Sequence, residues 1–487
     1  MNFKMIGRFL AQIISIEAVF LLPAMGIGLF NGEYGALKGF LLTLAIMVVL
    51  ASALFAVCRK TEKLFGAREG MVCVSFSWIT LSILGCLPFC LSAQTSFINA
   101  LFEIVSGFTT TGASIFSDVE SLPRCFLYWR SFSQWLGGMG VLVFLLAVAP
   151  SSGKDKGFTM HLLRAESPGP DVGKLVPKMK QTALILSIMY IVLTVVNLIF
   201  LLAGGMSLLD AVCTAFSTVS TGGFGIRNDS MASFSPYIQV VTTVFMLLSG
   251  INFSCYYLLL MRQLGAVFKD EELRAYILVV AAAIALIAWN IFNIYGNLAD
   301  TLRHSGFQVA SIMTTSGFST VDFAADWPGF SQSILLTLMV LGACAGSTSG
   351  GIKLARVLLI IKSLRRNIRQ VLSPNKVQVV RNNGRAVDEK ILDNTNAYLA
   401  AYVIIFIASF LIISLDGMTT GTNVSAVLAT LNNIGPGIEQ VGPMCNFADY
   451  SALSKLVLTV DMLVGRLEIF PMLVLLSRST WRRSANG

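Results

Sequence analysis

Long apolar runs dominate this sequence, and they limit the folds that it can adopt. Ten of them are centred near residues 20, 48, 82, 138, 192, 250, 283, 345, 405 and 465. A bilayer core about 30 Å thick is crossed by roughly 20 apolar residues in a helix, and inside lipid every backbone N–H and C=O group must find a partner within the protein. The runs therefore predict an all-α membrane protein with ten transmembrane helices.

The charged residues support this interpretation by their scarcity and their arrangement. They make up 13% of the 487 residues, against about a quarter in soluble domains. Of the 35 Lys and Arg residues, 28 fall near the termini or in alternate connections, and only four fall in the intervening connections. Because basic loops stay in the cytoplasm, we expect both termini to be cytoplasmic. The net charge of +9 then reflects membrane topology, and we expect no nucleic-acid partner.

Residues that carry chemistry are scattered along the chain. The nine cysteines include no C-x-x-C pair, the two histidines are His161 and His304, and no nucleotide-binding G-x-x-x-x-G-K-[ST] loop occurs. A metal centre or covalent catalysis needs several such groups together. The sequence therefore predicts a chain that is not an enzyme and that holds no organic cofactor.

A short motif recurs in four of the five connections on the side opposite the termini. Each copy is an apolar run too short to cross a bilayer, followed by a polar turn that contains glycine. The copies read L-F-E-I-V-S-G-F-T-T-T-G-A at 101–113, V-C-T-A-F-S-T-V-S-T-G-G-F at 212–224, F-Q-V-A-S-I-M-T-T-S-G-F at 307–318 and V-L-A-T-L-N-N-I-G-P-G at 427–437. Placing Gly112, Gly222, Gly317 and Gly435 in register predicts four units of helix, re-entrant helix, turn and helix.

These units divide the chain into an N-terminal helix pair and four pseudo-symmetric repeats. The predicted boundaries are 1–66 for the helix pair; 67–150, 182–262, 268–362 and 395–478 for the repeats; 151–181 and 363–394 for cytoplasmic linkers; and 479–487 for a cytoplasmic tail. The turns are predicted at 109–113, 219–223, 314–318 and 432–436. A segment that enters the membrane and leaves on the same side is tolerated only where it is buried in protein or lines a water-filled cavity. Four such segments predict one central pore.

The turns present backbone carbonyl and hydroxyl oxygens, which suit a weakly held cation. Rings of carbonyl oxygens can replace the hydration shell of K⁺, and glycine permits the backbone angles that turn successive carbonyls toward one axis. The short helix before each turn directs its partly negative C-terminal end to the same place. We therefore expect a cation-selective pore.

With these four loops the sequence resembles the Trk/Ktr/HKT superfamily of potassium transporters, and the extra N-terminal helix pair resembles its Trk-type membrane subunit. The resemblance covers about residues 70–478. By position it implies a K⁺ filter made of Thr110, Thr111, Gly112, Ser220, Thr221, Gly222, Thr315, Ser316, Gly317, Asn433, Ile434 and Gly435. Serine at the first filter glycine is associated with sodium preference in that family, so Gly112 implies potassium. The fourth loop departs from the Thr/Ser pattern, which implies only approximate fourfold symmetry.

The eighth apolar run, at about 331–362, is too long for one upright helix. Its centre, G-A-C-A-G-S-T-S-G-G at 342–351, holds four glycines, and glycine costs about 1 kcal/mol relative to alanine in a helix. The stretch predicts either an unwound intramembrane loop, which we favour, or a close helix contact through Gly342 and Gly346. In the family a loop at this place acts as a gate beneath the filter. The implied gate residues are Gly342, Gly346, Ser347, Thr348, Ser349, Gly350, Gly351, Lys353 and Arg466.

Several charged residues have candidate roles beside the pore. Arg466 lies inside the last apolar run, where a cation is costly unless it faces a cavity or a partner such as Asp461. The family places an arginine of its last helix in the pore, where it repels cations. Glu103 and Asp210 are expected to brace the loops from behind. The acidic residues that follow the turns either attract cations to the outer mouth or are simply solvated: Asp118, Glu120, Asp229, Asp322, Asp326, Glu439 and Asp449.

The resemblance also implies a homodimer in the bacterial inner membrane, regulated by a cytosolic ring of RCK-type, TrkA-like nucleotide-binding subunits. Two mechanisms are open, a K⁺-selective channel and a K⁺ symporter coupled to H⁺ or Na⁺. The repeats share one orientation, whereas secondary transporters usually show inverted repeats, and intramembrane carboxylates and histidines are scarce. The sequence therefore favours potassium uptake through a channel-like pore, with ion-coupled transport as the alternative.

Overall fold

The computed structural model describes residues 3–58, 67–140, 179–376 and 378–481, most of which are helical. The first half comprises α1 (Phe3–Phe30), α2 (Tyr34–Val57), α3 (Ala67–Leu91), α4 (Phe97–Phe108), α5 (Arg124–Met139), α6 (Met179–Ala203), α7 (Leu208–Val219), α8 (Pro236–Ser249), α9 (Phe253–Leu260) and α10 (Leu264–Lys269). The second half comprises α11 (Glu271–Tyr295), α12 (Leu298–Met313), α13 (Phe323–Asp326), α14 (Gly329–Val340), α15 (Leu354–Leu372), α16 (Glu389–Ile413), α17 (Thr420–Leu431), α18 (Ala452–Arg466), α19 (Phe470–Leu476) and α20 (Arg478–Trp481).

Two very small sheets interrupt this helical architecture. Strand β1 (Leu341–Gly342) pairs in parallel with β2 (Ile352–Lys353), and β3 (Arg381–Asn382) forms an antiparallel hairpin with β4 (Arg385–Ala386). Single 3₁₀ turns occur at Ser414–Asp416 and Glu439–Val441.

Polar residues fix where many of the helices begin. A side-chain oxygen of Ser207, Asp270, Asn297 or Thr419 accepts a hydrogen bond from a backbone N–H in the first turn of α7, α11, α12 or α17. Such caps satisfy donors that have no partner within the helix. Three of these caps lie immediately before one of the short helices that the recurrent motif predicted, so the local sequence itself sets where α7, α12 and α17 start.

Six of the described helices are long and apolar enough to cross a bilayer, namely α1, α2, α3, α6, α11 and α16, and counting the bent pair α8–α9 raises the number to seven. The axes of α8 and α9 differ by 89°, a break within the sixth predicted run that the sequence did not indicate. The fourth predicted run is described only as far as Gly140, and its remainder lies outside the described residues. The chain is therefore a multi-pass membrane protein, but several of the ten predicted runs are not continuous helices.

The eighth run is unwound at the predicted place. Helix α14 ends at Val340 and α15 begins at Leu354, with the loop between them closed at its base by the β1–β2 pair. Neither Gly342 nor Gly346 lies in a helix, so the alternative of a helix contact through these glycines is wrong. The tenth run is also interrupted, because Glu468 (φ 53°) and Ile469 (φ 69°) separate α18 from α19. Ile469 is β-branched, and residues of this type rarely adopt a positive φ.

The predicted cytoplasmic linkers differ in how much of them is described. Most of 151–181 lies outside the described residues, and α6 begins at its end. The second, 363–394, is largely ordered: α15 continues to Leu372, the β3–β4 hairpin follows, and α16 already begins at Glu389. Amphipathic helix ends and a tight hairpin therefore take the place of much of the expected linker.

Helix α5 approaches the C-terminal end of α4 very closely at Gly137. A Cβ atom there would lie under 3 Å from the carbonyl oxygen of Phe108. The neighbouring α3 joins the same contact, since the Trp129 indole N–H donates to the Gly85 carbonyl at 3.0 Å. These contacts fix the position of the turn that follows α4.

We expect Gly137→Ala to lower the melting temperature of the detergent-solubilised protein strongly, because the new methyl group displaces backbone rather than a flexible side chain. The matched control is Gly26→Ala in α1, where an added Cβ meets nothing within 4 Å. Replacing a helical glycine in open space should be neutral or stabilising by up to about 1 kcal/mol. Equal melting temperatures for the two variants would contradict the close packing of α4 on α5.

Candidate functional site

The four short helices α4, α7, α12 and α17 end in the same backbone turn. A non-glycine residue adopts the left-handed conformation just after each helix: Thr110 (φ 56°), Thr221 (φ 57°), Thr315 (φ 59°) and Asn433 (φ 54°). The next N–H returns to the carbonyl five residues earlier, at 2.8 Å in all four cases, in the pairs Thr111–Ser106, Gly222–Ser217, Ser316–Ser311 and Ile434–Ala429. This hydrogen bond defines a Schellman helix end, so the sequence motif corresponds to one repeated structure.

The backbone corrects the predicted register of the second turn by one residue. In the other three turns the second positive φ falls on Gly112 (82°), Gly317 (80°) and Gly435 (101°), but in the second turn it falls on Gly223 (73°). The residue equivalent to Gly112 is therefore Gly223, and the residue equivalent to Thr110 is Thr221. The prediction that aligned Gly222 with the other glycines and began the second turn triplet at Ser220 is wrong, because the G-G pair offers two glycines and only the backbone selects one.

The four turns form a closed ring in chain order. A Cβ atom on the last glycine of each turn would lie under 3 Å from a carbonyl oxygen of the next turn. The pairs are Gly112 with Gly222, Gly223 with Ser316, Gly317 with Ile434, and Gly435 with Thr111. Only glycine fits both this approach and the positive φ. The ring therefore explains Gly112, Gly317 and Gly435, which the sequence motif singled out, and it gives the equivalent place in the second turn to Gly223.

The first turn is braced by a fully buried ion pair. Arg130 of α5 and Glu103 of α4 are 2.7 Å apart, with side-chain exposures of 2% and 0%. The Glu103 carboxylate also accepts hydrogen bonds from the Ser114 hydroxyl (3.0 Å) and the Ile115 backbone N–H (2.9 Å). The expected bracing role of Glu103 is thus seen directly, whereas Asp210 lies in the first turn of α7.

Gln134 braces the second turn in a similar way. Its amide donates to the Gly222 carbonyl at 2.6 Å and accepts from the Phe224 N–H at 3.2 Å. Sequence reasoning overlooked both Arg130 and Gln134, although their polarity inside an apolar run was a usable signal. Gln308 supports the third turn through Ser319 (2.7 Å).

The fourth turn departs from the others, as its sequence predicts. The Asn433 side-chain amide donates to the Thr111 hydroxyl at 3.0 Å and to the Met462 carbonyl at 2.9 Å. Asn433 therefore ties the fourth turn to the first turn and to α18. Each of the other three turns carries a threonine at the position of Asn433. The adjacent Ile434 side chain is fully buried.

A cavity of about 100 Å³ lies on one side of the ring, lined by Gly112, Gly223, Gly317 and Gly435. Acidic residues of the surrounding loops are engaged in hydrogen bonds. The Asn228 amide donates to Asp118 (2.9 Å) and lowers the pKa of that carboxyl, and Thr419 and Thr422 lower the pKa of Glu439 in the same way. Both groups therefore stay ionised at neutral pH and also join loops together.

The loop 342–351 lies against the other side of the ring and contacts its turns. The Gly350 N–H donates to the Thr315 hydroxyl at 2.7 Å, and the Thr221 and Thr348 hydroxyls are 3.3 Å apart. A Cβ on Gly350 would lie 2.9 Å from the Cβ of Asn433. The expected gate residues are thus brought directly beneath the turns.

Arg466 joins the loop to the first turn. Its guanidinium donates to the Thr348 carbonyl (2.9 Å) and the Thr110 hydroxyl (3.3 Å), and also to the Gly137 carbonyl. The Lys353 ammonium donates to the Ser349 carbonyl within the loop. Both cations line a cavity of about 170 Å³ on this side of the ring.

Two acidic residues of the tenth apolar run have partners of their own. Asp461, the suggested partner of Arg466, accepts a hydrogen bond from the Ser409 hydroxyl at 2.7 Å. Glu468 pairs with Arg356 of α15. In the described residues, no group of three or more His, Cys, Asp or Glu side chains converges as a metal site would require.

Apolar membrane-crossing helices around a ring of oxygen-rich turns define a membrane transport protein. A family model described as "TrkH: Cation transport protein" matches residues 36–482, and the chain belongs to this family. Because this is a family of transport proteins, the prediction that the chain is not an enzyme is confirmed.

The relatives match over nearly the whole chain. It is 36% identical to the Trk system potassium uptake protein TrkH of Salmonella typhimurium and 35% identical to that of Escherichia coli, covering 99% of this chain and 100% of each relative. The crystal structure of the potassium transporter TrkH from Vibrio parahaemolyticus superposes with a TM-score of 0.88 at 32% identity, covering 99% of this chain and 100% of that one.

Removing one member of the buried Arg130–Glu103 pair should destabilise the protein severely. We expect Arg130→Met to lower the free energy of unfolding by about 3–5 kcal/mol, because it leaves a buried carboxylate without its counter-charge. Denaturant titration in detergent measures the change. The control is Arg366→Met, which breaks a pair whose Glu389 partner is 63% exposed and should cost less than about 1 kcal/mol. Similar losses in both variants would contradict the bracing role.

Proposed function

We propose that the chain takes up potassium by conducting K⁺ through the ring of four turns. The observation that carries this proposal is the closed ring itself, in which each turn places a backbone carbonyl oxygen against the last glycine of the preceding turn. Such oxygens can replace the water around K⁺ without binding it too tightly to leave. The relatives named as potassium uptake proteins support the same ion.

The proposed filter follows the corrected register. It consists of Thr110, Thr111, Gly112, Thr221, Gly222, Gly223, Thr315, Ser316, Gly317, Asn433, Ile434 and Gly435, with Ser220 just before its second segment. The short helices end at these turns, so their partly negative C-terminal ends favour a cation there.

The loop 342–351, Lys353 and Arg466 form the proposed gate. The loop contacts the turns from one side, and Arg466 places a positive charge beside Thr110. A cation leaving the ring on this side meets both the loop and this charge. Opening therefore requires the loop to leave its contacts with Thr221 and Thr315.

The arrangement of the helices, their orientation in the membrane and the partners of the chain are also part of the proposal. Four units of helix, pore loop and helix follow an N-terminal helix pair, with ten membrane crossings when the interrupted helices are counted. The basic residues favour cytoplasmic termini in a bacterial inner membrane. A homodimer and a cytosolic RCK-type regulatory ring are the expected partners, on the grounds of the resemblance to Trk-type subunits.

The proposal is tested by uptake of radioactive rubidium into vesicles that contain the purified chain. Uptake that K⁺ suppresses and equal Na⁺ does not would support a K⁺-selective pathway. The same vesicles with an imposed pH or Na⁺ gradient separate the two mechanisms, because a symporter accumulates the ion against its own gradient and a channel does not. Uptake no greater than in protein-free vesicles contradicts the proposal.

We expect Gly112→Ser to lower the K⁺/Na⁺ selectivity of this uptake by roughly tenfold, a difference of about 1.4 kcal/mol. A side chain at this position forces the Gly222 carbonyl away and changes the ring that fits K⁺. Gly329→Ser is the control, because a Cβ at Gly329 meets nothing within 4 Å. Unchanged selectivity in Gly112→Ser removes this residue from the filter.

Deleting residues 346–349 should raise rubidium uptake severalfold in the absence of any cytosolic partner, because the loop loses its contacts with the ring. Thr348→Ala, which removes only the hydroxyl between Thr221 and the carbonyls of Val219 and Ser249, should give a smaller increase. If the shortened chain remains monodisperse in detergent but transports nothing, the loop is required for conduction and is not a gate.

A further inference from the structure

Glu272 of α11 holds the loop 342–351 from outside the ring. One carboxylate oxygen of Glu272 accepts hydrogen bonds from the backbone N–H of Ala345 (2.6 Å) and of Ala355 (3.1 Å). Ala345 lies in the first part of the loop and Ala355 just beyond its other end, and both are buried. One side chain therefore fastens both ends of the loop to a neighbouring helix.

The position of Ala355 gives this contact a clear electrostatic reason. Ala355 lies in the first turn of α15, whose N-cap residue Lys353 supplies no side-chain hydrogen bond to that turn. The first N–H groups of a helix need acceptors, and a carboxylate is favoured there by the helix dipole. Glu272 supplies the missing cap from another helix. Moving the loop away from α11 frees the Ala345 N–H, and moving the start of α15 with it leaves that helix end uncapped.

We propose that Glu272 is a positioning residue of the gate, which stabilises the conformation in which the loop contacts the ring. This inference rests on the gate role proposed above for the loop. Opening must break the hydrogen bond from the Ala345 N–H in the loop, and it also breaks the bond from the Ala355 N–H when the start of α15 moves with the loop. The residue thus sets how far the equilibrium lies toward closure without touching the transported ion.

The β3–β4 hairpin holds the helix turn that carries Glu272. Asn383 and Gly384 form the two-residue turn of the hairpin, with φ values of 47° and 77°, the arrangement that Asn-Gly favours. The Asn383 amide accepts from the Glu271 N–H (2.9 Å) and donates to the Asp270 carboxylate (2.9 Å). Lys362 of α15 joins the same cluster through an ion pair with Glu271. Movement of the hairpin is therefore transmitted to the residue adjacent to Glu272.

The first experiment compares rubidium uptake into vesicles by variants of the full chain without a cytosolic partner. We expect Glu272→Ala to raise uptake roughly tenfold, because the loop and the first turn of α15 each lose a hydrogen bond. Glu272→Gln keeps an oxygen that accepts both bonds and should stay much closer to the unmodified chain. Glu389→Ala is the control, because it removes a carboxylate whose side chain is 63% exposed and which makes no contact with the loop.

The second experiment reads the loop itself through a native cysteine. Cys344 lies in the loop and is buried, so its alkylation reports opening when peptides are quantified by mass spectrometry. Glu272→Ala should accelerate alkylation of Cys344 severalfold while leaving that of Cys125, buried beside α1, unchanged. Equal acceleration at both cysteines would mean general loosening of the fold and would overturn the proposal.

Asn383→Gly tests the hairpin without altering Glu272. Glycine keeps the left-handed turn conformation but removes both contacts of the amide, so Cys344 alkylation and uptake should rise by a smaller factor than in Glu272→Ala. This variant also serves if Glu272→Ala does not fold. Unchanged values in Asn383→Gly would overturn the coupling through the hairpin.

The chain lacking residues 346–349 separates failure of this inference from failure of the gate. If the shortened chain gains uptake and Glu272→Ala does not, Glu272 does not position a gate that nevertheless exists. If neither gains uptake, both proposals are overturned. Increased uptake in both variants, with Glu272→Gln close to the unmodified chain, supports both.

Discussion

Close approach between the backbones of successive turns is the constraint on which the rest of the structure depends. Each turn ends in a glycine, and a carbonyl oxygen of the next turn lies so close to it that a Cβ atom would have no room. Four such approaches in chain order close a ring. The braces of that ring, above all the buried Arg130–Glu103 pair, are then needed because the turns themselves have left-handed residues that most side chains disfavour.

The ring also determines what can lie beneath it. The hydroxyls of the left-handed threonines Thr110, Thr221 and Thr315 face partners in the loop 342–351 or on Arg466. The loop is in turn fastened to α11 by Glu272 and to α18 by the guanidinium of Arg466. Hydrogen bonds therefore link the ring to the loop and the loop to Glu272, and the adjacent Glu271 is hydrogen-bonded to the β3–β4 hairpin.

Much of this arrangement was predictable because it depends on local sequence. The apolar runs predicted the helices, the recurrent motif predicted the four turns, and the glycine-rich centre of the eighth run predicted its unwinding. The register of the second turn was not predictable, because Gly222 and Gly223 are chemically identical. The bend between α8 and α9, the roles of Arg130 and Gln134, and the cap that Glu272 supplies to α15 depend on residues distant in sequence.

The sequence by itself determined that the chain crosses a membrane, because long apolar runs with few charges have no other stable environment. It also determined where the short helices end, because polar turn residues and glycine stop a helix locally. Only the tertiary structure decided which glycine meets which carbonyl and which side chains hold the turns and the loop. Many of those contacts join residues more than 80 positions apart along the chain, and no local preference specifies them.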